Sequence, residues 1–132
     1  SASDIASSDE LLISDAGTIK RVAMSGIKTF IGNGVAPVNT IGDANATLAV
    51  GINVTSADAT APRTWTLPAS AGMTAGEAII IKAYANAGEH AITIAGSGDQ
   101  TIDDGSTSSF KLESDNAAVT LYYATDDFWV IV

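Results

Sequence analysis

The sequence predicts a mainly β chain: an antiparallel β-sandwich, jelly-roll-like, of about eight strands, preceded by a small β-hairpin and a short helix. Three observations predict it. Beyond residue 46, short apolar runs recur at intervals of about 8–14 residues, separated by clusters of Gly, Asn, Asp, Ser and Pro. Within those runs, apolar residues alternate with small or polar ones at the two-residue period of a strand. No 3.6-residue periodicity supports a helix past residue 32.

Residues 1–10, SASDIASSDE, are small and polar and read as an arm or linker. Leu11–Ser14, then Asp15-Ala16-Gly17, then Thr18–Met24 read as strand, tight turn and strand, with Gly17 supplying the positive φ. Ser25 is a suitable helix N-cap; Ile27, Phe30 and Ile31 follow at i, i+3 and i+4, and Gly32 and Gly34 stop the helix. Residues 1–34 therefore form a connector too short to bury a core alone, and residues 35–132 form a β-sandwich knob. Gly32–Ala46 reads as a hinge or loop. Thr47–Thr55 reads as one strand with Leu48, Val50, Ile52 and Val54 on one face and Gly51 at a bulge. Arg63–Pro68 sets Trp65 and Leu67 inward, and Ala78–Tyr84 is buried on both faces over Ile79–Ile81. Ala91–Gly96 and a short piece at Gln100–Ile102 are further strands, and Ser109–Ser114 places Phe110 and Leu112 inward. No internal repeat of fixed period stands out.

The last fourteen residues carry the clearest pattern. Val119–Ala124, a turn at Thr125-Asp126-Asp127, and FWVIV form a hairpin that runs to Val132. Val119, Leu121 and Tyr123 share one face of the first arm. In the second arm, Phe128, Val130 and Val132 share a face, and Trp129 and Ile131 share the other. Neither arm has a clean polar side, so both sides should be covered, by a second sheet or by another subunit.

Composition agrees. Hydrophobic residues make up 46% of 132, and mean hydropathy is +0.25, with only 6% aromatic, a load that points to an oligomer. The net charge of −9 argues against a basic nucleic-acid surface. Residues 1–34 hold four acids and three bases; the remainder holds eleven acids against Arg63, Lys82 and Lys111. With no cysteine there is neither disulfide nor thiolate metal site, and no apolar run approaches the roughly 20 residues of a spanning helix. The chain begins at Ser1, as a processed or excised piece would.

Chemistry is thinly represented, and the expectation is a non-enzyme with no catalytic, cofactor-binding or metal-ligating residues. The one histidine, His90, sits in a polar turn, which leaves a Ser-His-Asp site without a base. Asp9-Glu10, Asp103-Asp104 and Asp126-Asp127 are adjacent carboxylates; neighbours on a strand point apart, and Asp is favoured in turns for its local hydrogen bonds. Asp99, Asp103 and Asp104 beside Gly105 would suit Ca²⁺ by residue type, without the EF-hand spacing. Gly96–Gln100 lacks the Lys and helix of a phosphate loop, and Asn45-Ala46-Thr47 and Asn53-Val54-Thr55 match the short glycosylation triplet. Tyr84, Tyr122, Tyr123, Trp65 and Trp129 are candidates to stack sugars if exposed, with core packing the expected role of the tryptophans.

Residues 9–31, DELLISDAGTIKRVAMSGIKTFI, resemble a segment of tail-fibre and other virion structural proteins of tailed bacteriophages. The marks Thr66-Leu67-Pro68, Ile79–Lys82, Ile94–Gly98, Thr101–Gly105 and Phe128–Ile131 are similar to those of a small β-domain in such proteins, with Asp126-Asp127 where a Gly-bearing turn is common. The resemblance implies a homotrimer on a virus particle, its partners being sister copies, other virion proteins and host cell-surface glycan. It implies a tail-fibre or fibre-tip protein that attaches to the particle and contacts the host. The alternatives are a capsid decoration or head-fibre protein that acts by packing, and a polysaccharide depolymerase.

Overall fold

The computed structural model describes residues 10–16, 18–23 and 36–132, and the chain divides into two compact units, Ser1–Ala36 and Pro37–Val132. In the first unit, β1 (Glu10–Asp15) and β2 (Thr18–Ala23) pair antiparallel, Glu10 opposite Ala23 and Asp15 opposite Thr18. The expected hairpin is present. Ala16, the first of the two connecting residues, has a positive φ of 48°. Gly17, the arm at residues 1–9 and the helix expected over 25–32 lie outside the described residues.

In the second unit the chain runs through β3 (Val38–Ile41), β4 (Ala46–Thr47), β5 (Gly51–Thr55), β6 (Arg63–Thr66), β7 (Ala78–Lys82), β8 (Ile92–Ala95), β9 (Thr101–Ile102), β10 (Ser109–Leu112), β11 (Ala118–Thr125) and β12 (Phe128–Ile131). No helix occurs among the described residues. The strands form a six-stranded sheet of order β3-β5-β7-β11-β12-β9 and a four-stranded sheet of order β10-β8-β6-β4. From β3 to β10 each successive strand lies in the other sheet, so the chain winds around the core. Winding makes β3, β5 and β7 parallel in one sheet and β4, β6 and β8 parallel in the other.

This corrects the antiparallel expectation. Five of the eight pairings in the unit are parallel; only β7–β11, β11–β12 and β8–β10 are antiparallel. The reason is geometric. A hairpin returns the chain to the neighbouring strand, whereas a corner of about three or more residues reaches the facing sheet about 10 Å away. Residues 48–50 are such a corner, between β4 and β5.

Two elements differ from the sequence expectation for the same reason. Residues 38–41, expected in a loop, form the edge strand β3. Residues 47–55, expected as one strand, are broken by that corner. Leu48 is buried in the core, but beyond the corner the alternation inverts: Gly51 and Asn53 face inward, while Ile52 and Val54 face outward and are half-buried. Asn53 is satisfied in this position. Its Oδ1 accepts the Ala49 N–H at 3.1 Å and its Nδ2 donates to the Ala49 carbonyl at 2.8 Å. Asn39, opposite Asn53 in the ladder, donates from Nδ2 to the Val50 carbonyl at 3.4 Å.

Elsewhere alternation reads through. Trp65, Leu67, Ile79, Ile81, Ile92, Ile94, Leu121 and Trp129 are fully buried in one core shared by both sheets. Tyr123 packs edge-on against Trp129, centroids 5.2 Å apart, and Trp65 lies against Tyr84 at 6.0 Å. The terminal strand is held on both sides, by β11 and by a parallel β9 that brings Thr101 to Phe128 and Ile102 to Trp129. Its hairpin turns on Asp126 and Asp127, at φ 48° and 61°, a two-residue connection with both central residues left-handed. Aspartate tolerates that region through local hydrogen bonding, which is how the turn forms without glycine.

The corner is the point where the fold is most easily broken. Gly51 adopts φ 106°, and a Cβ there would sit 2.4 Å from the Pro37 carbonyl oxygen. Gly51→Ala should lower unfolding free energy by about 2 kcal/mol or more in urea titration. Asn53→Ala leaves the Ala49 amide without its acceptor and should cost about 1–3 kcal/mol in the same measurement.

Candidate interaction surfaces

Of the carboxylates singled out in the sequence, Asp103, Asp104 and Asp127 are engaged in holding loops. Asp104 Oδ1 accepts the N–H groups of Ser106 and Thr107, at 2.9 and 2.7 Å, and its Oδ2 accepts the Thr107 hydroxyl at 2.9 Å. Those backbone donors hold its carboxyl well below the usual carboxylate range. Asp103, at φ 62°, turns Oδ1 onto the Ile131 N–H at 2.8 Å, continuing the edge of β12 past the two-residue β9. Ser70 donates its hydroxyl to Asp127. No group of three or more His, Cys, Asp or Glu stands together to hold a metal ion among the described residues. His90 is half-buried in the turn that closes on the Asn86 carbonyl.

The loop at residues 42–45 is tied down most heavily. Asp43 accepts from Arg63 Nε at 2.6 Å and from the Thr60 hydroxyl and amide at 2.6 and 3.1 Å. The Arg63 guanidinium, with Thr60, holds the Asp43 carboxyl well below its ordinary range, and Asp43 in turn raises Arg63. Tyr84 donates its hydroxyl to the Gly42 carbonyl at 2.9 Å, and Trp65 Nε1 donates to the Ala44 carbonyl at 3.2 Å. Burial pushes the Tyr84 phenol up. Of the five aromatic residues considered for sugar stacking, Trp65, Trp129, Tyr84 and Tyr123 are therefore core; Tyr122 alone is exposed. Asn53 is buried within the second glycosylation triplet, while Asn45 in the first is exposed and its Oδ1 accepts the Thr64 N–H at 2.9 Å.

What remains for contact with another molecule is the outer faces of the two sheets, and they differ in chemistry. On the four-stranded sheet the outward positions are Thr47, Thr64, Thr66, Thr93, Ser109 and Lys111, with Ala95 among them. Parallel register stacks them: Thr47 beside Thr66 beside Ala95, and Thr64 beside Thr93. Asn45, Ala46, Thr47, Thr64 and Thr66 line a groove of about 360 Å³ at this face. On the six-stranded sheet the outward row reads Val38, Ile52, Ile80, Thr120 and, past the end of β12, Val132. Ala78, Tyr122 and Val130 form the row beside it. Val38, Tyr122 and Val132 are 61, 42 and 79% exposed. The sequence signalled this face in the two-sided apolar runs Ile79–Ile81 and Phe128–Val132. It did not signal the hydroxyl rows, because strands 19 and 29 residues apart in sequence must first be brought into register.

No family model matches this chain, and none of the curated proteins compared with it is similar in sequence.

The acid side of the stability profile follows from the two low carboxyls. Asp43 and Asp104 bind protons more weakly folded than unfolded, so their stabilisation is complete above about pH 4 and is lost as pH falls below it. Urea midpoints should drop steadily from about pH 4 downward. Asp104→Ala should be less stable at about pH 7 and show a shallower drop with acid.

Proposed function

We propose that this chain is a structural component of a bacteriophage virion, a trimeric tail-fibre or fibre-tip protein that attaches to the particle and presents a two-sheet knob to the host surface. The resemblance of residues 9–31 and of the strand-and-turn marks to virion proteins supports the assignment. In the fold these marks fall where β6 ends, along β7, through β8 and its loop, at β9 and its turn, and along β12. The observation that carries the host-contact reading is the hydroxyl face of the four-stranded sheet, with its groove at Asn45, Thr64 and Thr66. Threonine and asparagine both donate and accept, and no acidic side chain occupies the outward positions of these strands. Such a face suits a neutral, polyhydroxylated surface such as host glycan. The loops around it are braced by internal hydrogen bonds, so the face is presented without reordering.

A capsid decoration protein that acts by packing is the second reading, favoured by the apolar outer face of the six-stranded sheet, which would seat on another virion protein. The two readings part in one comparison. Fluorescently labelled protein should bind host cells, and Thr64→Val with Thr66→Val should weaken that binding about tenfold while leaving the thermal melt within a few degrees. Binding to empty capsids with none to host cells would replace the first reading with the second.

A further inference from the structure

We infer that the free edge of β10 takes up an extended segment of another protein as a fifth strand of the four-stranded sheet, a segment whose inward residues are aliphatic with a lysine or arginine among them. The edge and the cleft beside it belong to a single copy and require no particular assembly.

Strand β10 ends its sheet, with β8 on one side and no strand on the other among the described residues. The Gly96 N–H donates to the Ser108 carbonyl at 2.8 Å, which makes these two residues a hydrogen-bonded pair of the antiparallel ladder. Such pairs alternate with non-bonded ones, so Phe110 with Ile94 and Leu112 with Ile92 are the next two. The N–H and C=O groups of Ser109 and Lys111 therefore point away from β8, and no hydrogen bond among the described residues reaches them. A row of this kind is a template for one more strand. The other boundaries of the sandwich are shorter or closed. β4 has two residues, and the edge of β12 is covered by β9 and by Asp103. On the side of β3 and β4, the loop at residues 42–45 passes from one sheet to the other and accepts hydrogen bonds from Trp65 and Tyr84.

Beside the β10 edge the sandwich stands open. Ile102, Phe110 and Ile131 line a cleft of about 320 Å³ together with Thr107 and the exposed Asp103 and Asp104. Phe110 and Ile131 pack against the core yet stay half-buried. The cleft is left because β9 pairs with β12 only at Phe128 and Trp129 and stops short of Ile131. A strand laid on β10 turns every second side chain toward this cleft, and the residues between them lie beside Ser109 and Lys111. Backbone hydrogen bonds then supply affinity, and the cleft selects aliphatic side chains.

Charge completes the chemistry of the partner. Hydrogen bonds to the Ile131, Ser106 and Thr107 amides fix the Asp103 and Asp104 carboxylates in place, and neither has a cationic partner among the described residues. A long basic side chain can lay its stem over Phe110 and Ile131 and bring its charge to these carboxylates. A second copy fits poorly. Joining two β10 edges would bring both carboxylate pairs together in chains of net charge −9.

The test uses the full chain and a fluorescently labelled peptide, TVTKTVT, with TVTETVT as its charge control. TVTKTVT should saturate below about 1 mM by anisotropy, and TVTETVT should bind at least about tenfold more weakly. Amide hydrogen exchange at Ser109 and Lys111 should slow in the complex. Lys111→Pro removes an N–H that points away from β8, and should abolish binding while the circular dichroism spectrum is unchanged. Asp103→Asn keeps an acceptor for the Ile131 N–H and should narrow the difference between the two peptides. No saturation at about 1 mM, equal binding of the two peptides, or unaltered exchange at Ser109 and Lys111 would each overturn the proposal. So would a folded Lys111→Pro variant that binds like wild type. Should that variant unfold, the exchange result on wild type decides.

Discussion

The hydrogen bonds between the Asn53 carboxamide and the backbone of Ala49 set the register from which the second unit's surfaces follow. β5 is paired on one side with β3 and on the other with β7, so its register is theirs. With Asn53 held inside, Ile52 must face out, and in-register pairing then lines up Val38 and Ile80 beside it. A buried amide with its donor and acceptor both used costs little, whereas the same amide moved one position outward would leave Ala49 unpaired and turn two branched side chains into the core. Gly51 permits this arrangement by taking a backbone conformation that lets Pro37 approach closely.

The winding separates two tasks that hairpin topologies mix. Each strand contributes one side to the common core and the other to an outer face, and the faces are composed from different strands. β4, β6, β8 and β10 contribute hydroxyls; β3, β5, β7, β11 and β12 contribute aliphatic groups. The acids are left to the loops, where Asp43, Asp103, Asp104 and Asp127 accept hydrogen bonds and brace the turns. Gln100 does similar work from a buried position, accepting from Ser97 and donating to Pro68 and Ser70. The result is a body with two chemically distinct sides and its acids in the loops between strands.

At the closed end of the six-stranded sheet, the terminal strand is covered at its edge by β9 and then by the Asp103 carboxylate on Ile131. Edge backbone groups there are satisfied and unavailable for pairing with another chain. Trp129 Nε1 is the one buried side-chain polar atom without a hydrogen-bond partner among the described residues; it belongs to a ring packed edge-on with Tyr123. The bulk of that indole in the core, rather than its N–H, accounts for its place.

The sequence by itself determined which short segments become strands and, in most of them, which side chains turn inward. Trp65 and Leu67, Ile92 and Ile94, and the Leu121–Trp129 hairpin follow from alternation alone, because a strand projects successive side chains to opposite sides whatever it pairs with. Only the tertiary structure decided the pairing direction, the break at residues 48–50, the strand at Val38–Ile41 and the inversion of β5. Alternation is blind to which strand lies alongside, and the corner depends on Gly51 meeting Pro37 fourteen residues earlier. The candidate surfaces divide in the same way. The apolar face was legible in runs with no polar side, while the hydroxyl rows exist only once winding brings Thr47 beside Thr66 and Thr64 beside Thr93, long-range contacts that no local pattern encodes.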